Sequence, residues 1–117
     1  MKFQDLNIVE PILRSLKDQK YITPTAIQQK AIPLVLDKKD VLASAQTGTG
    51  KTAAFAIPII HHIHLERKQN SKRKISALII TPTRELAIQI GENVKIYSKY
   101  TSIKNTVIFG GVNQRAQ

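Results

Sequence analysis

No cysteine occurs among the 117 residues, which excludes a disulfide framework and any thiolate-ligated metal site. Aromatic residues make up only 5% of the chain, too few for a platform on which successive bases would stack. Long apolar runs are also missing. The longest, residues 53–60, falls far short of a membrane span, and the N-terminal Met1-Lys2-Phe3-Gln4-Asp5 lacks the apolar core of a signal peptide. A soluble, cytoplasmic protein with no membrane partner is therefore expected. Acidic residues are scarce, 8 against 18 Lys and Arg, and the resulting net charge of +10 suits a polyanionic partner, nucleic acid first. The length allows one domain with a real core, not two.

The pattern of residues alternates helix and strand. Ile12, Leu13 and Leu16 recur at helical spacing, predicting a helix over residues 8–19, with Pro11 tolerable only in its first turn. Thr25 is a candidate N-cap for a helix reaching about Leu36, with Pro33 inside it. Residues 41–44 read as a short strand, residues 51–66 as a mostly apolar helix bent at Pro58, and residues 67–74 as a polar loop. A buried-type strand is expected at 77–81, a helix from Pro82-Thr83 to about Lys99, and a third strand at 106–109 before a Gly110-Gly111 turn. Such alternation predicts an α/β fold with a parallel sheet flanked by helices, and ligands bound at the carboxyl ends of the strands. Residues 45–52, 82–85 and 110–111 would share that rim.

The sharpest chemical signal is Ala45-Gln46-Thr47-Gly48-Thr49-Gly50-Lys51-Thr52, a phosphate-binding loop with alanine in place of the usual first glycine. Gly48 and Gly50 permit backbone conformations that turn successive N–H groups inward, and the helix starting at Lys51 adds its positive N-terminal dipole. Lys51 would reach the β- and γ-phosphates of a nucleoside triphosphate. The Thr52 hydroxyl would complete a Mg²⁺ shell shared with phosphate oxygens. Hydrolysis also needs a carboxylate to hold the metal. Beyond Thr52 the only acidic residues are Glu66, Glu85 and Glu92, each on or near a helix and none following an apolar strand. The chain is therefore expected to bind nucleotide at best.

With this loop stand Pro82-Thr83-Arg84-Glu85-Leu86-Ala87, the Gly110-Gly111 doublet, and Tyr21-Ile22-Thr23-Pro24-Thr25-Ala26-Ile27-Gln28 with Phe3 upstream. In this order they resemble motif I, motif Ia, the GG doublet and the Q motif of DEAD-box ATP-dependent RNA helicases, most like the bacterial RhlE-like members. The resemblance implies a partial RecA-like domain, with residues 1–36 as the Q-motif region and 37–117 as the N-terminal part of the ATP-binding domain. It implies that Gln28 reads the adenine edge, that Tyr21 packs on the base with Phe3 behind it, and that Thr83, Arg84, Gly110 and Gly111 contact RNA, as a single strand or short duplex. ATP and Mg²⁺ would be the cofactors, and a second RecA-like domain would follow Gln117. The family usually has glycine where Lys20 stands. The competing reading is a non-catalytic nucleotide- and RNA-binding module.

Two further signals point elsewhere. His61, His62 and His64 invite a metal site, but a helix places His62 on another face, and histidines ending a helix more often complement its dipole or face solvent. Arg67, Lys68, Lys72, Arg73 and Lys74 invite an RNA site but would lie away from the ligand rim, as a solvated loop.

Overall fold

The computed structural model describes residues 1–45, 50–69 and 75–108. Gln46, Thr47, Gly48, Thr49, Gly110 and Gly111, together with residues 70–74 of the expected loop, lie outside the described residues. A 3-10 helix, Phe3–Leu6, opens the chain. Four α-helices follow: α1 (Glu10–Asp18), α2 (Ala26–Leu36), α3 (Lys51–Gln69) and α4 (Arg84–Tyr97).

The core is helical. Ile12 and Leu16 of α1, Ile32 of α2, and Ile57 and Ile60 of α3 are wholly buried, joined by Phe3, Leu6, Ile8 and Tyr97. Helix α3 is the element the others lie against, packing on α1, α2 and α4. Its first turns carry Ala53, Ala54 and Ala56, buried small side chains that keep neighbouring backbones close. Helices α2 and α3 run through Pro33 and Pro58 respectively. Pro33 is exposed, whereas Pro58 contributes its ring to the core.

Helix boundaries follow local chemistry. Thr25 caps α2 as expected: its hydroxyl accepts the Gln28 N–H while the Gln28 side chain returns to the Thr25 N–H, a reciprocal capping box. Thr83 caps α4 by accepting the Leu86 N–H at 3.2 Å. Helix α1 ends in a Schellman motif, with Lys20 N–H donating to the Lys17 carbonyl and Tyr21 N–H to that of Leu16. The motif requires a left-handed residue, and Lys20 supplies it at φ 61°. The same arrangement ends α2, where Lys38 takes φ 60°.

The expected sheet is the main departure. Among the described residues no strand is formed: residues 41–45, 75–81 and 103–108 run without regular hydrogen-bonded pairing. A strand holds its shape only when its N–H and C=O groups meet a neighbour, and two or three short segments bury too little to secure one. The buried-type segment 77–81 accordingly stands in water, with Leu78 82% and Ile80 85% exposed. Segments 75–81 and 103–108 still lie along the apolar face of α3 and α4, where they enclose a groove of about 900 Å³ with Ile59, Ile63 and Val94. The expected loop at 67–74 is likewise shortened, because α3 continues to Gln69 and Arg67 reaches from it to the Ser102 carbonyl at 3.2 Å.

Lys20 holds a conformation that costs a side-chain-bearing residue about 1–2 kcal/mol and a glycine almost nothing. Lys20→Gly is expected to stabilise the chain by about 0.5–1 kcal/mol, the relief of strain exceeding glycine's extra unfolded-state entropy. Urea unfolding of the two proteins side by side checks this; an unchanged or lower midpoint for the variant would contradict it.

Candidate nucleotide site

A cavity of about 780 Å³ opens between the N-terminal segment, the start of α2, the start of α3 and one face of α4. Its volume lies within the range of small-molecule sites. Each wall has a local cause.

The N-terminal wall is Phe3, Leu16 and Tyr21. Phe3 is buried, and its N–H donates to the Ile22 carbonyl at 3.1 Å, fastening the 3-10 helix to the Tyr21-Ile22 segment. The Schellman turn at Lys20 then aims Tyr21, half-exposed, into the cavity. A flat aromatic face beside a cavity with polar groups opposite suits a heterocyclic base.

Gln28 is the centre of the site. It is 6% exposed, and both ends of its carboxamide are engaged. Oε1 accepts the Thr25 N–H at 2.9 Å, and Nε2 donates to the Gly50 carbonyl at 3.1 Å. Each end retains further capacity, one N–H and one lone pair, which is the complement of an adenine edge. Gly50 adopts φ +84°, and a Cβ there would stand 2.3 Å from Gln28 Nε2. Glycine is needed at this point both for its backbone angle and for its lack of bulk.

Next in sequence, Lys51 begins α3 with its side chain exposed, and Thr52 is half-buried beside it. Both line the cavity. The free N–H groups and positive dipole of α3 therefore face the same space as Gln28 and Tyr21. The cavity thus combines an ammonium and a helix N-terminus with a carboxamide and an aromatic ring. No aspartate or glutamate lines the cavity among the described residues, so this stretch supplies no carboxylate for the metal.

The fourth wall lies beyond the sequence-based expectations. Leu86, Gln89, Ile90, Asn93 and Tyr97 of α4 face the cavity. Gln89, Asn93 and Tyr97 follow one another at four-residue spacing on one helical face, a signal present in the sequence but masked by the stronger apolar periodicity beside it. The Tyr97 phenol is pushed above its ordinary pKa by burial first and by nearby Tyr21 second.

Thr83 and Arg84 do not join this cavity. They are exposed at the N-terminus of α4 and line the separate apolar groove with segments 75–81 and 103–108. Residues 46–49 and 110–111 of the expected rim lie outside the described residues; among those described, Thr83 and Arg84 border a groove separate from the cavity of Lys51 and Thr52, with α4 in common. Glu85, exposed in the first turn of α4, suits the helix dipole there.

The three histidines do not form a metal site: among the described residues no group of three His, Cys, Asp or Glu could hold an ion. They do not end the helix or face solvent as expected, either. Because α3 runs on to Gln69, they lie within it and are half-buried. His61 Nδ1 accepts the Val9 N–H at 3.1 Å, and His62 Nε2 meets the Val35 carbonyl at 2.9 Å. No described helix is long and apolar enough to cross a membrane.

The chain is similar to known proteins across nearly its whole length. A DEAD-box ATP-dependent RNA helicase, RhpA, of Helicobacter pylori (strain B128) is 45% identical over 115 residues, covering 98% of this chain and 22% of that protein. The ATP-dependent RNA helicase SrmB of Escherichia coli (strain K12) is 45% identical over 111 residues, 94% of this chain and 24% of its own length. The chain thus spans between a fifth and a quarter of these relatives. Among solved structures, a DEAD box protein from Methanococcus jannaschii superposes with a TM-score of 0.81 at 38% identity, covering 99% of this chain and 31% of its own. The RNA helicase Prp28 from Chaetomium thermophilum bound to ADP gives 0.84 at 31% identity, over 98% and 28%. The family model described as DEAD/DEAH box helicase matches residues 25–117, and with the cavity built on Gln28, Gly50, Lys51 and Thr52 this makes the chain a member of the DEAD/DEAH box helicase family.

Proposed function

We propose that the chain forms the ATP-binding part of an ATP-dependent RNA helicase, in which nucleotide binding and hydrolysis are coupled to local opening of RNA duplexes. The observation that carries this reading is the Gln28 carboxamide, buried and bonded to Gly50 at the mouth of the phosphate loop, with Tyr21 on one side and Lys51 and Thr52 on the other. Adenine lies against Tyr21, backed by Phe3, and is read by the remaining donor and acceptor of Gln28. The phosphates take the loop Ala45 to Thr52, the N-terminus of α3 and the Lys51 ammonium. When bound, Mg²⁺ neutralises phosphate charge, and Thr52 is the residue of this stretch suited to hold it.

RNA lies along Thr83 and Arg84, and along Gly110 and Gly111. A cap hydroxyl, an arginine and the positive end of α4 make a backbone-phosphate site there. Residues 1–36 form the Q-motif region and 37–117 the start of a RecA-like domain, in which segments 41–44, 77–81 and 106–109 pair as strands of a parallel sheet once the rest of that domain is present to cover them. Their exposed apolar side chains and the superposition on helicase structures support this. A second RecA-like domain and a cytoplasmic location complete the proposal. So does kinship with the bacterial RhlE-like members, for which the bacterial relatives speak.

Binding and turnover separate on one point. With no carboxylate among the described residues lining the cavity, these residues bind ATP without hydrolysing it. That same observation favours the rival reading, a module that binds nucleotide and RNA and never turns ATP over. An RNA-stimulated ATPase assay on the longest protein that carries this sequence distinguishes the two, and the 117-residue chain itself is expected to show none. Turnover by the chain that disappears in Lys51→Ala would refute that.

Three substitutions examine the site. Gln28→Ala is expected to weaken ATP binding about tenfold or more and to abolish discrimination against GTP, as measured by competition with a fluorescent nucleotide. Retained preference for ATP would remove Gln28 from base recognition. Gly50→Ala forces its methyl onto Gln28 and is expected to lower affinity at least as far, with helical circular dichroism preserved. Arg84→Ala is expected to weaken RNA binding uniformly across sequences and to reduce the salt dependence by about one phosphate contact, with ATP affinity intact.

A further inference from the structure

The peptide N–H of Val9 can only donate, so the His61 Nδ1 that meets it at 3.1 Å must be unprotonated, with the ring proton on Nε2. Val9 is the residue that launches α1, and the segment before it contains the 3-10 helix with Phe3. The bond spans 52 residues and ties the entry to α1 onto the middle of α3. Its neighbour does something chemically opposite. His62 Nε2 faces a carbonyl, that of Val35 near the end of α2, and must donate. A proton added to His61 Nδ1 sets N–H against N–H and breaks the contact, whereas the His62 bond survives with the ring neutral or charged.

We propose that His61 is a positioning residue for the base end of the nucleotide site: its neutral imidazole latches the N-terminal segment, and with it the Phe3 and Tyr21 wall, to α3. Protonation of His61 releases that wall while α2, holding Gln28, stays docked through His62. This rests on the reading of the cavity as an adenine site.

The surroundings favour the neutral ring. Burial lowers the His61 pKa from its ordinary 6.5, and His62 and His64 on the same helix lower it further. The ionisable residues of the elements packed on α3 are Glu10, Arg14, Lys17 and Asp18 of α1, Lys30 of α2, and Arg84, Glu85, Glu92, Lys95 and Tyr97 of α4. Asp5 belongs to the 3-10 helix. All but Tyr97 lie on exposed faces. Glu10 pairs with Arg14 at 2.9 Å, and Asp5 accepts the Lys2 N–H at 2.8 Å. A depressed pKa means that the unfolded or detached state binds the proton more readily. The latch is therefore complete above about pH 6.5 and weakens as pH falls below it.

Hydrogen-exchange mass spectrometry on the full chain, corrected for intrinsic exchange at each pH, reads the latch directly. Between about pH 7.5 and pH 5.5, protection of peptides covering residues 3–12 is expected to fall about tenfold, with α2 peptides changing far less. His61→Asn places an oxygen acceptor where Nδ1 stood and cannot titrate. It should keep the protection seen at high pH and lose the decline, while His61→Ala should lack protection at both. Binding of a fluorescent ADP is followed in parallel, as the ratio of wild type to His61→Asn, which cancels the nucleotide's own titration. That ratio should fall several-fold over the same interval. An acid decline in His61→Asn equal to that of wild type, or full Val9 protection in His61→Ala, would overturn the latch. Absence of ADP binding at high pH with the exchange pattern intact would instead overturn the nucleotide site.

Discussion

The Gln28 carboxamide is the point on which the arrangement of the site depends. It sits where the beginning of α2 meets the beginning of α3, and each of its ends is spent on a different part of the chain. One end completes the cap of its own helix; the other holds the residue that precedes the next. A buried amide left without partners costs about 1–3 kcal/mol, so the two helix N-termini are held in register by a penalty for separating as well as by apolar contact. Gly50 makes this possible by presenting bare backbone where any side chain would collide.

Around that joint the structure divides labour among helices. Helix α3 is apolar where α1, α2 and α4 cover it, and its N-terminus opens onto the cavity that Gln28 lines. Helix α1 is short, yet its turn at Lys20 sets the aromatic wall. Helix α4 is shared between two cavities, one lined also by Gln28, Gly50, Lys51 and Thr52 and the other bordered by Thr83 and Arg84. Its C-terminal end is fixed to α1: the Ser15 hydroxyl meets the Tyr97 carbonyl at 3.1 Å, and Tyr100 donates to Asp18. Anything that displaces α4 is therefore felt at both sites.

The parts of this arrangement that were legible in the sequence are local. A threonine three residues before a glutamine announces a capping box, and the box is formed at Thr25 and Gln28. The absence of glycine at position 20 marked a turn that the chain nevertheless makes, at the expense of a strained lysine. Other features depend on contacts no local pattern encodes. The bond from Val9 to His61 joins residues 52 apart, and nothing in either neighbourhood announces it. The continuous apolar run at 77–81 reads as a buried strand because its composition reports a preference for burial and pairing; whether a partner is present is a property of the whole assembly. Gln89 and Asn93 stand beside the apolar stripe that dominates the periodicity of α4, on a face that looks into the cavity.

The exposed segment from Ile75 to Ile80 has a consequence for how such a chain is made. Ile-Ser-Ala-Leu-Ile-Ile carries no charge and no proline, which is the composition of a self-templating aggregation core. During synthesis it emerges before any later sequence that could cover it. The basic cluster Lys72-Arg73-Lys74 immediately upstream and Pro82 just downstream then acquire a purpose apart from ligands. Charge of one sign before such a run and proline after it is the flanking pattern that opposes strand stacking between copies.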